Sequence, residues 1–387
     1  MDIKVKEIEI YHYKLPIKNP KFPCANHVIN GTIYFKVFTT NGIIGYGEPS
    51  SYLLDYKIIS KLIIKHIFLH IKNKNIYKID LEKIKKKFIK KKNYLTICSL
   101  IAGLDQAIWD IRSKISKKNL SNYISKKNII NRKIGLYASG GMIFEDQNLN
   151  KILNEALKFQ LKGFKGYKFR PPIPRNKISH FERIKNPPKI DIQKLVKLCE
   201  KLRKNVKNDF ELMLDLGCRI DNFKNFYYLS DCLHELNFLF IEEPLKRNIN
   251  NYKTIHKKSK TKISFGESIT DKKDFIKWSN YIDIYQPDTN MITITELLGL
   301  KSIFNKSNKM VIFHNWSNPI SMLSNFHLSS SFNNKLIEYN VTHNPTINFF
   351  LERKFSIKNG SILINNKEGL GAEINYKFVN KYSKKIL

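Results

Sequence analysis

Along the second half of the chain, short apolar runs recur at a near-constant interval, and each ends on a charged or ionisable side chain. The runs are LMLD ending at Asp215, FLFIE at Glu242, KISFGE at Glu267, DIYQPD at Asp288, KMVIFH at His314 and LIE at Glu338. The intervals are 27, 25, 21, 26 and 24 residues (242−215, 267−242, 288−267, 314−288 and 338−314). A strand, its helix and two short loops occupy about 25 residues, the unit that a (β/α) barrel repeats about eight times. The pattern therefore predicts successive strands at 210–215, 238–242, 262–267, 283–288, 309–314 and 336–339. Upstream, 133–139 and 164–170 supply the first two, with helical periodicity over 148–162 between them and over 191–206 before the third. Side chains at the carboxyl ends of barrel strands converge on one mouth, so these residues are candidates for one site.

The first 125 residues follow a different rhythm and predict an α+β unit. MDIKVKEIEIYHYKL alternates like a strand, and 33–39 and 43–48 alternate around Asn41-Gly42, a strong hairpin signal. Helical patterns follow at 55–71 and 93–115, the second with an apolar stripe of Leu100, Leu104, Ala107, Ile108 and Ile111 suited to packing on the hairpin sheet. Residues 126–345 form the predicted barrel, and 346–387 read as strand and loop returning to the first domain. Within the barrel, the proline-rich stretch 171–190 interrupts the rhythm, and such a loop at the mouth shapes a pocket.

Composition narrows the class. A chain of 387 residues with 42% apolar content is ordinary for a globular enzyme. No stretch approaches the roughly 18 uncharged apolar residues of a membrane span, and the amino terminus lacks the apolar core of a signal peptide. The expectation is a cytoplasmic protein with no membrane partner. Five cysteines without a CxxC pair argue against a disulfide framework. Cys98 and Cys199 fall in apolar helical patterns; Cys218, near the mouth, has no local general base and is read as a bystander thiol. The net charge of +35 comes from lysines spread along the whole chain, not gathered on one face with aromatics. This reads as solvated helix faces, including the run 83–93 with Ile84, Phe88 and Ile89 on its apolar side, and makes nucleic acid an unlikely partner.

Asp215, Glu242 and Glu267 come from three successive strand ends with no cysteine or histidine among them. Three carboxylates meeting in a partly dry cleft need neutralising, and oxygen-only donors select a hard divalent ion, Mg²⁺ before Mn²⁺. The alternative is pairing of all three with the abundant lysines. Of the two acids in IEEPL, Glu242 faces the mouth, because side chains alternate and Glu243 must turn elsewhere.

The chain resembles the mandelate racemase branch of the enolase superfamily over essentially its full length. The markers are NGIIGYGE (41–48), GLDQAIWDIRSK (103–114), GFKGYKFR (163–170), LMLD, IEEPL, GES (266–268), QPD, His314, Glu338 and GLG (369–371). The resemblance implies an α/β fold: a modified (β/α)7β TIM-like barrel under an α+β capping domain built from the N-terminal segment and C-terminal tail. It also implies a homo-oligomer. By that similarity Asp215, Glu242 and Glu267 fall on Mg²⁺ ligands, and Asp288 and His314 on the acid/base dyad. Glu338 falls on the residue that binds the substrate carboxylate, in protonated form, and Lys168 and Arg170 on the arms of a Lys-x-Lys motif.

The implied chemistry is removal of the proton next to a substrate carboxylate, with His314 as base. Arg170 departs from the pattern, since arginine is a poor base and stereoinversion needs groups on both faces, while its cationic fork suits binding a substrate carboxylate or hydroxyl beside Lys168 and Glu338. Dehydration of an acid sugar to a 2-keto-3-deoxy acid is therefore favoured over racemisation or epimerisation of a 2-hydroxy acid with Lys168 as second base. A non-catalytic polyanion-binding barrel is the reading from another class. Gly217 offers no polar contact, so recognition falls to Arg219, the 18–31 loop (Asn26, His27), the 171–190 loop (Arg175, His180, Arg183), Tyr137 or Ser139.

Overall fold

Alternation along the amino terminus becomes the centre of a small sheet. The computed structural model describes residues 2–15, 32–50, 66–89, 93–126, 132–173, 190–332, 334–342, 344 and 346–387. Strand β1 (Val5–Tyr13) pairs antiparallel with β2 (Thr32–Thr39), which pairs with β3 (Ile44–Gly47) through the expected hairpin. A register shift between Val5 and Glu7 resets the alternation, so that Val5, Ile8 and Ile10 all reach the core. The helix Tyr94–Ile115 lies on this sheet with Leu100, Leu104, Ala107, Ile108 and Ile111 buried. A Cβ on Gly47 would stand 1.8 Å from the carbonyl oxygen of Gly103, so two glycines let strand and helix backbones touch.

Eight parallel strands follow among the described residues: β4 (Lys133–Gly140), β5 (Gly166–Phe169), β6 (Glu211–Asp215), β7 (Phe238–Glu242), β8 (Ile263–Phe265), β9 (Ile284–Tyr285), β10 (Met310–Val311) and β11 (Leu336–Asn340). Consecutive strands pair from β4 to β10, and β11 pairs with β4 on its other side. Among the described residues, seven helices, from Asn150–Leu161 to Pro319–Ser331, alternate with them. At the remaining seam, the Asn315 side-chain amide donates to the Glu338 carbonyl (3.1 Å) and its backbone N–H to the Glu338 carboxylate (2.8 Å).

Period-two alternation divides the strand residues. Leu136, Leu212, Leu214, Ile241, Tyr285, Phe313 and Ile337 face the helices. Tyr137, Met213, Phe240, Ile284 and Ile312 form a separate apolar cluster inside the barrel, with Leu336 beside it. Two residues further along each of these strands stand Ser139, Asp215, Glu242, Gln286, His314 and Glu338. An apolar plug thus floors a polar layer.

Strands β8, β9 and β10 are shorter than the sequence pattern predicts, so Glu267, Asp288 and His314 lie on loops just beyond them. Isolated hydrogen bonds, Ile312 N–H to Tyr285 O and His314 N–H to Pro287 O, extend the pairing toward the mouth. The tail divides its attachment. The hairpin β12 (Ile357–Lys358) and β13 (Ser361–Leu363) lies antiparallel on the start of β4, while β14 (Ser383–Lys385) pairs with β1.

The two layers are joined by buried polar contacts from the cap. Glu48 accepts from the N–H groups of Ile320 (3.0 Å) and Ser321 (3.1 Å), capping the helix Pro319–Ser331. Asp105 accepts from Thr295, and Lys85 Nζ meets both carboxylate oxygens of Glu296 at 2.6 and 2.5 Å. Lys85 lies in the lysine run read as solvated, and it is an exception: fully paired and 2% exposed. Ile89 in the same run is exposed rather than apolar-side, because the helix ends at Lys86. No helix among the described residues is long and apolar enough to cross a membrane.

Candidate active site

Lys168 and Arg170 share the inward face of β5 and its extension, and each reaches an acid on another strand. Lys168 Nζ stands 2.5 Å from Glu242 Oε2 and 2.7 Å from Glu338 Oε1, 5.7 Å above the Tyr137 ring. Arg170 closes on Asp215 Oδ2, with its Nε at 3.1 Å and its Nη2 closer. Asp215 Oδ1 takes the Gly217 N–H at 3.0 Å. Glu242 Oε2 also accepts from Gln286 (2.8 Å), whereas Glu242 Oε1 is buried without a hydrogen-bond partner.

Glu243 adopts left-handed backbone, φ 44°, which turns it away from Glu242 and onto Arg247 at 2.9 and 2.7 Å. Arg247 Nη2 also reaches Glu267 Oε1 at 3.0 Å. Glu267 Oε2 lies 3.2 Å from His314 Nε2, while His314 Nδ1 lies 2.7 Å from Asp288 Oδ2. Glu338 Oε2 is 3.8 Å from His314 Nε2, so all eight sequence-derived residues fall in one cluster or its contacts. Of the eight, His314 and Glu267 are the more open, at 12% and 14% side-chain exposure.

Six carboxyl groups (Asp215, Glu242, Glu243, Glu267, Asp288, Glu338) face four basic groups (Lys168, Arg170, Arg247, His314) among the described residues. Burial holds the carboxyls of Asp215 and Glu242 above their usual range, even with Arg170 and Lys168 beside them. Burial likewise pushes Glu243 up to about 8. Burial opposes charge on His314 too, but Glu338, Glu267 and Asp288 prevail and raise its pKa to about 10. Its imidazole is therefore a cation in this arrangement.

Two expectations need correcting. Glu338 was expected to be protonated; burial favours that form, but Lys168 and His314 outweigh it and hold its pKa down at about 2. Arg170 was expected to offer its fork to a substrate, and that fork lies on Asp215. Burial works against charge on Lys168, but Glu242 and Glu338 overcome it and raise its pKa well above the ordinary value. Arg219 is buried, donating to the Pro171 carbonyl at 2.8 Å. Burial first, then Glu243, pushes the Cys218 thiol pKa up, which opposes the thiolate form that a nucleophile requires. Asn26, His27, Arg175, His180 and Arg183 lie outside the described residues.

Each expected Mg²⁺ ligand is thus turned toward a basic side chain, and among the described residues no three acid, histidine or cysteine groups are arranged to hold a metal. The donor chemistry nevertheless fits a dication. The donors are all oxygen, the cluster carries more acids than bases, and Glu242 Oε1 is a buried acceptor with nothing to accept from. Reorientation of Asp215 and Glu267 away from Arg170 and Arg247 is what that fit requires.

Residues 19–124 match the mandelate racemase / muconate lactonizing enzyme N-terminal domain, and residues 151–378 match the enolase C-terminal domain-like family. The chain belongs to the mandelate racemase / muconate lactonizing enzyme family. A member of similar sequence is an arabinonate dehydratase of Saccharolobus solfataricus, 23% identical over 88% of this chain and 87% of that protein. Another is a D-galactonate dehydratase of Pectobacterium atrosepticum, 25% identical over 74% of each chain. A mandelate racemase/muconate lactonizing protein of Paracoccus denitrificans, solved in complex with magnesium, shares the fold with a TM-score of 0.82, 14% identity and 99% coverage of both chains.

Asn315, Asn325 and Arg247 were not singled out in the sequence. Asparagine is abundant throughout this chain, and nothing in its local pattern distinguishes a buried amide from a surface one. Arg247 had a local signal, lying four residues after Glu243.

Proposed function

We propose that the protein is a Mg²⁺-dependent dehydratase of an acid sugar, a polyhydroxy carboxylate, yielding a 2-keto-3-deoxy acid. The observation that carries the reading is His314, held through Nδ1 by Asp288 at 2.7 Å, with Nε2 beside the acids of the β8 and β11 ends. The names of the two dehydratase relatives support the substrate class.

Asp215, Glu242 and Glu267 would hold the ion, which supplies positive charge for the negative charge that develops on the substrate carboxylate. Lys168, already charged, lies beside them to share that role. Were Glu267 to serve as a ligand, one of the three acids that hold the proton on His314 would be drawn away from it, which favours the neutral imidazole a base requires. His314 Nε2 then takes the C2 proton while Asp288 fixes the ring. The imidazolium returns that proton to the C3 hydroxyl, which leaves as water, and the enol formed becomes the 2-keto acid. Epimerisation is the second reading, favoured by Lys168 and His314 approaching the two different oxygens of Glu338; the charged state of Lys168 and the presence of arginine at 170 weigh against it.

Purified protein with Mg²⁺ should form a semicarbazide-reactive keto acid from at least one member of a broad acid-sugar panel, and His314→Asn should not. Solvent deuterium entering the α-carbon with inversion and no loss of water would replace this reading with the epimerase. Arg170→Lys should gain α-epimerisation if the missing second base is what limits that outcome.

A further inference from the structure

The loops after β9 and β10 carry the two halves of the dyad, and one buried amide spans them. Asn325, in the helix Pro319–Ser331, is inaccessible to solvent. Its Oδ1 accepts from the Thr289 N–H at 3.0 Å and the Thr289 hydroxyl at 2.8 Å. A backbone N–H can only donate, so this contact fixes which end of the amide is oxygen. Its Nδ2 must then face the opposite side, where three acceptors lie: Asp288 Oδ1 at 3.0 Å, the His314 carbonyl at 3.1 Å and Asn315 Oδ1 at 3.2 Å.

The Asp288 carboxylate has a divided set of partners. Oδ1 takes Asn325 Nδ2 and the Asn290 N–H (3.0 Å), and Oδ2 takes the Ser317 hydroxyl (3.2 Å) and His314 Nδ1 (2.7 Å). Rotation of the carboxylate would break both sets together. Asn325 also reaches Asn315, whose backbone and side chain hold Glu338. On the far side Thr289 offers its carbonyl to Gln106 of the cap at 2.8 Å, and Gln106 accepts from the Glu48 N–H at 3.0 Å.

We propose that Asn325 is a positioning residue for the His314–Asp288 dyad, locking the Asp288 carboxylate so that one oxygen faces the imidazole and tying that geometry to the cap through Thr289 and Gln106. It touches no substrate; it acts through Asp288. The proposal rests on the dyad reading above but not on which acid sugar is used.

Asn325→Asp changes one donor into an acceptor at constant shape, while its other oxygen still serves Thr289. The structural readout is the downfield proton resonance of His314 Nδ1–H, assigned by its loss in His314→Asn. In Asn325→Asp this resonance should disappear, and kcat should fall about 100-fold with KM changed by no more than about twofold, the pattern of misplacement rather than lost binding. A retained resonance with kcat within about threefold of the parent overturns the proposal. If Asn325→Asp does not fold, Thr289→Val, which removes only the hydroxyl donor to Asn325, decides. A weakened resonance and a several-fold lower kcat support the proposal, and an unchanged protein overturns it. A parent protein that shows the resonance yet forms no keto acid refutes the dehydratase reading, and the resonance in Asn325→Asp alone then judges Asn325.

Discussion

Replacing one residue at a time separates the roles in the acidic layer. His314→Asn should abolish turnover and leave Mg²⁺ binding, measured by titration calorimetry, near that of the parent. Glu267→Gln should lose both, because it removes a donor as well as a neighbour of His314. Glu338 gives a signed expectation for the metal-free protein. Its folded pKa of about 2 lies below the ordinary 4.5, so its contribution to stability is complete above pH 4.5 and disappears as pH falls toward 2. Urea denaturation across this window should show the parent losing stability that Glu338→Gln does not lose. The residue types at these positions were legible from their stride alone. Their partners were not, because an ion pair between strands depends on which side chains the barrel interior brings within a few ångströms.

At the scale of elements, alternation and helical periodicity carried most of the information. The hairpin, the helix Tyr94–Ile115 and the order of strands all emerged where the apolar spacing placed them. The predicted strand ends at 267, 288 and 314 ran too long. Apolar content marks a segment as buried but does not say where ladder pairing stops, and the chain leaves the ladder before each functional residue. The stripe on Tyr94–Ile115 was also incomplete, since Asp105, Gln106 and Asp110 on that helix are buried as polar contacts to the barrel and tail. The contact of Gly47 with Gly103 tests the element directly. Gly47→Ala should destabilise the cap by about 1–3 kcal/mol or more, because backbone rather than a flexible side chain must yield, and a lower thermal midpoint would report it.

For the molecule as a whole, the capping unit is held to the barrel by buried charge as well as by apolar packing. Lys85→Met leaves Glu296 buried without its counter-ion and should cost about 3–5 kcal/mol, seen as a lower thermal midpoint; Lys85→Met with Glu296→Leu should recover most of it. The sequence by itself determined the barrel, its cap and the residues that reach the mouth, because hydrophobic period and strand–helix stride are local properties written along the chain. Tertiary structure alone decided the protonation of Glu338 and His314, the capture of Asp215 by Arg170, the burial of one lysine among many, and the amide that spans the two loops. Each of those depends on distance and dielectric between residues far apart in sequence, and neither quantity exists until the chain has folded.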